Sequence, residues 1–104
     1  MITVLYSTFP DKEKATEIGQ ILVKEKLVAC ANTFPVSSYY NWEGGLQEDE
    51  EYAAFFKTSL EMSRVAINRI KDLHPYDVPI ITSETRSVNK EYEDWLKKEL
   101  SKEE

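Results

Sequence analysis

The most distinctive chemical group of this chain is its only histidine. His74 opens the segment His74-Pro75-Tyr76-Asp77-Val78-Pro79, which follows an amphipathic helical run and holds two of the four prolines. Proline removes a backbone donor and pushes the preceding residue towards extended geometry, so this segment cannot continue a helix. The segment therefore predicts either a simple helix stop before a strand or a stiff polar connector that carries a site.

A metal site is the first chemistry to consider, and the number of ligands limits it. The chain has one cysteine, Cys30, and one histidine, His74. A structural zinc site needs four thiolate or imidazole ligands, so a closed site within one chain is excluded. Copies of these residues or carboxylates could meet at a subunit interface, where a thiolate would suit reduced copper. The alternative, which the predicted position within a strand favours, is that Cys30 is a small buried core residue.

Other polar and aromatic residues could bind a ligand. Lys57 closes an apolar strand just before a predicted helix cap, where it could meet an anion together with free helix amides, or simply end a strand. We interpret Glu48-Asp49-Glu50-Glu51 as a solvated hairpin rim rather than a weak site for a divalent cation. Tyr40 and Trp42 could stack on a ligand or pack at an interface. No nucleophile–base pair or multi-carboxylate centre is readable, so we expect no enzymatic activity and assign no catalytic residue.

Hydrophobic periodicity predicts the elements that position these residues. The predicted elements, in order, are a strand from Ile2 to Thr8, a helix capped by Asp11 and ending about Lys26, long strands from Leu27 to Trp42 and from Leu46 to about Lys57 joined by the turn Glu43-Gly44-Gly45, a helix after a capping box at Thr58–Glu61, a strand opening at Pro79–Thr82, and a helix capped by Asn89 with Tyr92, Trp95, Leu96 and Leu100 on one face. Pro35 predicts a bulge or an edge position. The order β-α-β-β-α-β is typical of the ferredoxin-like α+β fold, here with an added carboxy-terminal helix. We expect the tail from Ser101 to fray.

Length and charge restrict the class of protein. The 104 residues predict one domain that spans residues 1–104. The 13 basic and 19 acidic residues give a net charge of −6, which repels phosphate backbones and anionic membranes, so we expect neither nucleic acid nor a membrane as partner. We find no secretory signal or transmembrane run, and a single cysteine fits a reducing compartment, so we expect a cytoplasmic location.

The long strands predict self-association. In an isolated ferredoxin-like domain helices cover one face of the sheet and water wets the other, so strands alternate between apolar and polar residues. Here Tyr52, Ala54 and Phe56 point to one face, while Ala53 and Phe55 point to the other. We therefore expect both faces to be covered, in part by another subunit.

Together these segments resemble the CutA divalent-cation tolerance family over essentially the whole chain. The segments that carry the resemblance are Thr8-Phe9-Pro10, Ala29-Cys30-Ala31-Asn32, Tyr40-Asn41-Trp42-Glu43-Gly44, Lys57-Thr58, the His74–Pro79 segment and Tyr92-x-x-Trp95-Leu96. The resemblance implies a small cytosolic homotrimer of ferredoxin-like subunits, similar in architecture to PII signalling proteins and linked to tolerance of divalent metals, copper among them. Some family members carry extra cysteines, and their absence here argues against a strong thiolate copper site.

The resemblance also implies the site residues. We predict that Cys30 and His74 contact metal, and that a ligand site at a subunit boundary contains Tyr40, Trp42, Glu43, Lys57, Tyr76 and Asp77. The predicted function is a homotrimeric, metal-responsive binding protein for copper or another divalent metal, with no cofactor required for folding. The alternative is a PII-like sensor of a small anionic metabolite that uses Lys57. We further expect Lys57 and the segment around His74 to face one shared cleft between neighbouring subunits.

Overall fold

Seven elements form the fold, and the computed structural model describes residues 1–100 of the chain. They are β1 (Ile2–Phe9), α1 (Lys12–Lys24), β2 (Cys30–Trp42), β3 (Gly45–Thr58), α2 (Leu60–Leu73), β4 (Ile81–Arg86) and α3 (Lys90–Leu100). The predicted ferredoxin-like order with an added carboxy-terminal helix is confirmed. The predicted fraying of the tail from Ser101 lies outside the described residues.

The four strands form one antiparallel sheet in the order β2-β3-β1-β4. β3 pairs with β1 on one side and with β2 on the other, and the pairing with β2 is continuous from Cys30–Lys57 to Trp42–Gly45. Pro35 lies on the edge strand, as predicted, but no bulge interrupts the register at its pair with Tyr52. An edge strand tolerates proline because its outer side needs no backbone donor.

Helices pack on both faces of the sheet, and the α3 face is covered only in part. One face, which we call the helix-pair face, packs Leu5, Phe9 and Phe56 against α1 and α2 in a fully buried core. The opposite face, the α3 face, packs Ile2 and Val4 beneath α3 in a smaller core. Because each fully buried large apolar side chain contributes roughly 1.5–3 kcal/mol, the helix-pair face holds most of the stabilising burial.

The starts of two helices test the predicted caps, and one of the two differs from the prediction. The helix α1 begins at the predicted cap, where the Asp11 side chain accepts a hydrogen bond from the Lys14 amide at 2.8 Å. The predicted capping box at Thr58 is wrong, because β3 continues through Thr58 and the α2 cap is Ser59, which accepts from the Met62 amide at 3.1 Å. Buried Thr58 instead donates its hydroxyl to the carbonyl of Leu27 at 2.7 Å.

The helix α3 buries a narrower stripe than predicted. Leu96 and Leu100 are buried and Tyr92 is half-buried, but Trp95 keeps 43% of its surface exposed. Asn89 lies at the helix start, where its carbonyl accepts from the Glu93 amide at 3.1 Å and its side-chain amide donates to a neighbouring glutamate. The amphipathic pattern therefore located this helix correctly but overestimated the width of its contact with the sheet.

The β2–β3 hairpin protrudes from the body of the domain. β1 ends opposite Tyr52, so residues 36–51, which we call the hairpin arm, are paired only with each other. Glu43 and Gly44 have φ values of 51° and 80°, which indicates a two-residue turn of the I′ type. The radius of gyration is 14.6 Å, against about 13 Å for a compact chain of this length. The arm therefore extends into space that one chain does not fill.

The helix-pair core gives a direct test of this architecture. Ile70 is fully buried in that core, whereas Val65 on the same helix is 51% exposed. We expect Ile70→Ala to lower the free energy of unfolding by about 2–5 kcal/mol, because it leaves a cavity in a close-packed core. The matched Val65→Ala change should cost less than about 1 kcal/mol. Chemical denaturation measures both values, and equal losses would contradict the assignment of the core.

Candidate functional site

A groove of about 630 Å³ lies between the hairpin arm and the segment of residues 74–79, which we call the connector. Its lining residues are Tyr40, Trp42, Gln47, Asp49, Glu51, Pro75, Tyr76, Asp77 and Val78. Four of the six residues predicted to bind a ligand, Tyr40, Trp42, Tyr76 and Asp77, therefore meet in one place. The volume lies within the range of about 300–1,000 Å³ that is usual for small-molecule sites.

His74 holds the connector to the end of β1. Its Nε2 lies 2.8 Å from the carbonyl oxygen of Thr8, and its Nδ1 lies 3.2 Å from the Tyr76 amide nitrogen. A carbonyl can only accept and an amide N–H can only donate, so Nε2 carries the proton and Nδ1 accepts. Burial lowers the pKa of His74, although the hydrogen bond to Thr8 and the charge of Glu51 oppose this effect. His74 is therefore held neutral, and both of its nitrogens are occupied.

The surroundings of the His74 ring fix its orientation. The ring stacks on Phe9 with centroids 4.7 Å apart, and Phe9 belongs to the helix-pair core. The buried Ser7 hydroxyl donates to the carbonyl of Ile80 at 2.8 Å and lies 3.2 Å from His74 Nε2, from which it can accept. The serine proton is committed to Ile80, so the Ser7–His74 contact ties two segments together and does not activate a nucleophile.

Tyrosine and serine hydroxyls orient two carboxylates within the groove. Tyr76 donates to Glu51 Oε2 at 2.5 Å and Ser38 donates to Glu51 Oε1 at 2.6 Å, while Tyr40 donates to Asp49. Burial, then the hydrogen bond to Glu51, raise the pKa of Tyr76 far above its ordinary value, and the bond to Asp49 raises the pKa of Tyr40. Both phenols therefore stay protonated as donors to these carboxylates near neutral pH.

Two predicted site residues lie at the other end of the long strands. Cys30 and Lys57 are direct cross-strand partners on the α3 face. Lys57 Nζ lies 5.8 Å from the centroid of the Tyr92 ring, and the Cys30 thiol lies 3.7 Å from Asn32 Oδ1. Cys30 was expected to be buried within a strand, but β2 begins at Cys30 and leaves this side chain partly exposed. Burial, with the neighbouring thiol, raises the pKa of Tyr92.

The predicted metal ligands do not meet within one chain. Lys57, the partner of Cys30, pairs with Val4 of β1, four positions from the Thr8 that His74 contacts, which is about 13 Å along the strand at roughly 3.3 Å per residue. His74 has no free nitrogen, and residues 1–100 contain no group of three or more His, Cys, Asp or Glu residues placed to hold a metal ion. The cleft between neighbouring subunits that Lys57 and His74 are expected to share stays a prediction.

Glu43, the remaining predicted ligand residue, lies at the tip of the hairpin turn and does not line the groove. The sequence prediction also missed Asp49 and Glu51 as groove residues, because their charge run was interpreted as a solvated rim. The turn in the sequence could have identified them as groove residues. A two-residue turn at Glu43-Gly44 sets Tyr40 opposite Gln47, which places both carboxylates on the same face as Tyr40.

Comparison with known proteins gives a consistent result. A family model described as CutA1 divalent ion tolerance protein matches residues 3–99. The divalent-cation tolerance protein CutA of Thermotoga maritima is 42% identical over 98 residues, which are 93% of this chain and 97% of that protein. The crystal structure of CutA1 from Ehrlichia chaffeensis has a TM-score of 0.92 at 36% identity and covers 95% of this chain and 94% of its own. A structure described as the periplasmic divalent cation tolerance protein CutA of Archaeoglobus fulgidus has a TM-score of 0.90 at 33% identity and covers 96% and 99%.

The neutral state of His74 predicts how stability depends on pH. Its pKa in the folded protein lies below the unfolded value of about 6.5, so the unfolded state binds more protons between the two values. Stability from His74 is therefore complete above about pH 6.5 and decreases as the pH falls below it. We expect the free energy of unfolding of the wild type to decrease between about pH 7.5 and about pH 5.5.

The control is His74→Gln, whose amide can donate and accept but does not titrate. Its free energy of unfolding should change little over the same pH interval. Urea denaturation measures both proteins, and the protein concentration is kept the same throughout. A variant as pH-dependent as the wild type would show that another group titrates.

Proposed function

Because this chain belongs to the CutA1 divalent ion tolerance family, we propose that it is a cytosolic, homotrimeric, metal-responsive protein that binds divalent cations, copper among them, at its subunit boundaries. The family match covers residues 3–99, nearly the whole chain. The relatives are named for tolerance of divalent cations, and the finer parts of the proposal rest on this chain's own residues.

The observation that carries the proposed assembly, and with it a site at subunit boundaries, is the apolar surface that one chain leaves uncovered. On the hairpin arm Tyr39, Trp42 and Leu46 are 64%, 63% and 75% exposed. On the α3 face an aromatic row crosses the sheet, with Phe55 5.4 Å from Tyr6 and 5.5 Å from Phe34 between ring centroids, and all three rings are only half-buried. Exposed apolar side chains on the arm and an aromatic row that is only half-buried are typical of an obligate interface.

The proposed metal contact is the thiol of Cys30. It is partly exposed, it makes a long contact with Asn32 and interacts with the Tyr92 hydroxyl, and it is a soft donor that suits copper and zinc. One chain offers one thiol, so a site with several strong ligands requires more than one chain. His74 is less suited than the sequence indicated, because a metal would have to replace its hydrogen bond to Thr8 or to Tyr76. We therefore assign His74 to holding the connector and Cys30 to the metal.

The alternative function, a sensor of a small anion, depends on Lys57. Lys57 makes no ion pair within residues 1–100, so its charge is available. Its partner in that hypothesis was the free amino-terminal turn of α2, but Ser59 already caps the Met62 amide there. The cation-binding function is thus the better supported of the two.

Binding rather than catalysis also fits the committed hydrogen bonds of Ser7 and His74. The cytosolic location is a proposal from the single cysteine, which fits a reducing compartment, and cell fractionation tests it. No helix within residues 1–100 is long and apolar enough to cross a membrane.

Light scattering tests the assembly. At micromolar concentration we expect three chain masses, because burying the exposed arm and aromatic row should make dissociation unfavourable. Leu46→Ala should shift the equilibrium towards monomer, since it removes an apolar side chain that is 75% exposed on the arm and does not line the groove. Leu60→Ala is the control, as Leu60 is 69% exposed on a different element. A wild-type monomer would contradict the proposal.

Calorimetry tests the metal contact. We expect zinc and anaerobic copper(I) to bind the wild type, and Cys30→Ser to weaken this binding about tenfold or more through loss of the soft donor. His74→Gln should leave the affinity within about twofold, because both nitrogens of His74 are already occupied. The opposite result, loss of binding in His74→Gln alone, would overturn the assignment.

A further inference from the structure

The groove between the hairpin arm and the connector is too large and too dispersed to be a metal site. Its volume of about 630 Å³ would hold a small organic molecule. A metal ion needs several donors at about 2.0–2.6 Å, and no group of three or more His, Cys, Asp or Glu residues among residues 1–100 is arranged to provide them. The size of the groove and the wide spacing of its polar groups therefore favour a small organic molecule over a metal ion as the ligand.

The charge of the groove selects a cation. Asp49 and Glu51 on the hairpin arm and Asp77 on the connector are acidic, and the lining residues include no lysine, arginine or histidine. The ion pairs formed within residues 1–100 do not involve these three carboxylates. Neutral hydroxyls from Tyr40, Tyr76 and Ser38 orient two of them but do not neutralise them. The negative charge thus has no counter-charge from the part of the chain that the structure describes.

The aromatic lining favours an organic cation over a hydrated metal ion. Tyr40, Trp42 and Tyr76 line the same groove as the carboxylates. Ammonium and guanidinium groups are attracted to aromatic faces, and their aliphatic stems bury apolar surface on the same rings. Three rings beside three carboxylates offer contacts to both parts of such a molecule.

We propose that this groove binds a small aliphatic amine with two or more separated ammonium groups. The acidic groups lie on both walls, with Asp49 and Glu51 on the arm and Asp77 on the connector, so a flexible chain with a charge at each end can pair with both walls at once. This site is separate from the proposed metal contact at Cys30, and neither proposal depends on the other.

The test is calorimetry with spermidine as the probe, at low and at near-physiological salt. We expect saturable binding to the wild-type assembly that weakens with added salt but persists at about 0.15 M. Asp49→Asn should weaken binding about fivefold, the effect of losing one charged contact at a partly exposed site. The asparagine oxygen can still accept from Tyr40, so we expect the fold and assembly to be retained, and a thermal melt and light scattering check this.

The matched control is Glu48→Gln. Glu48 is the neighbour of Asp49 on β3, and its substitution removes the same charge. Strand alternation places Glu48 on the other face, where it does not line the groove. Its affinity should stay within about twofold of the wild type. Equal weakening by both substitutions would mean non-specific attraction to an acidic protein and would overturn the proposal.

Two further measurements separate this site from the metal site. Spermidine binding should be unchanged in Cys30→Ser and in the presence of saturating zinc, and the dicarboxylate succinate should not bind in the groove. Failure of the wild type to bind spermidine at up to about 1 mM would overturn the amine site while leaving zinc binding through Cys30 unaffected. Failure of the wild type to bind zinc, with spermidine binding retained, would overturn the metal contact at Cys30 and leave the amine site standing.

Discussion

The register of β3 between β1 and β2 is the constraint on which the rest of this structure depends. Side chains alternate along a strand, so a slip of one residue would move Phe56 out of the helix-pair core and Lys57 into it. The cost of burying an unpaired charge in place of an aromatic ring excludes that alternative. The turn at Glu43-Gly44 fixes the same register from the far end, since two consecutive residues with positive φ leave no freedom in loop length.

The imidazole of His74 links the sheet to the connector wall of the groove. Glu51 belongs to β3, whereas Tyr76 belongs to the connector, and His74 joins them because it is bonded to Thr8 of β1 and to the Tyr76 amide. Its ring rests on Phe9, so the connector is anchored directly to the main core. A histidine in this position contributes most as a neutral, bifunctional hydrogen-bonding group. The same commitment makes it a poor metal ligand, because a metal would have to replace one of these hydrogen bonds.

The sequence predicted the elements well and the site in part, for separable reasons. Periodicity and proline positions located every helix and strand, because those signals are local. The start of β2 was placed at Leu27 instead of Cys30, because the apolar run there does not alternate, and this error made Cys30 look buried. Asp49 and Glu51 were missed because their neighbours across the hairpin depend on its register. The contact of Tyr76 with Glu51 joins residues 25 positions apart, which no local pattern reveals.

The hairpin arm combines two demands that usually conflict. Its exposed rings favour association with other chains. Its carboxylates oppose uncontrolled edge-to-edge pairing of the long hairpin with strands of other molecules, which would lead to aggregation. Placing the carboxylates on the face of Tyr40 and Trp42 concentrates the negative charge beside aromatic surface at the connector. A cation held there would contact both walls of the groove and so stabilise the arm against the body of the domain, since a ligand favours the state that it binds.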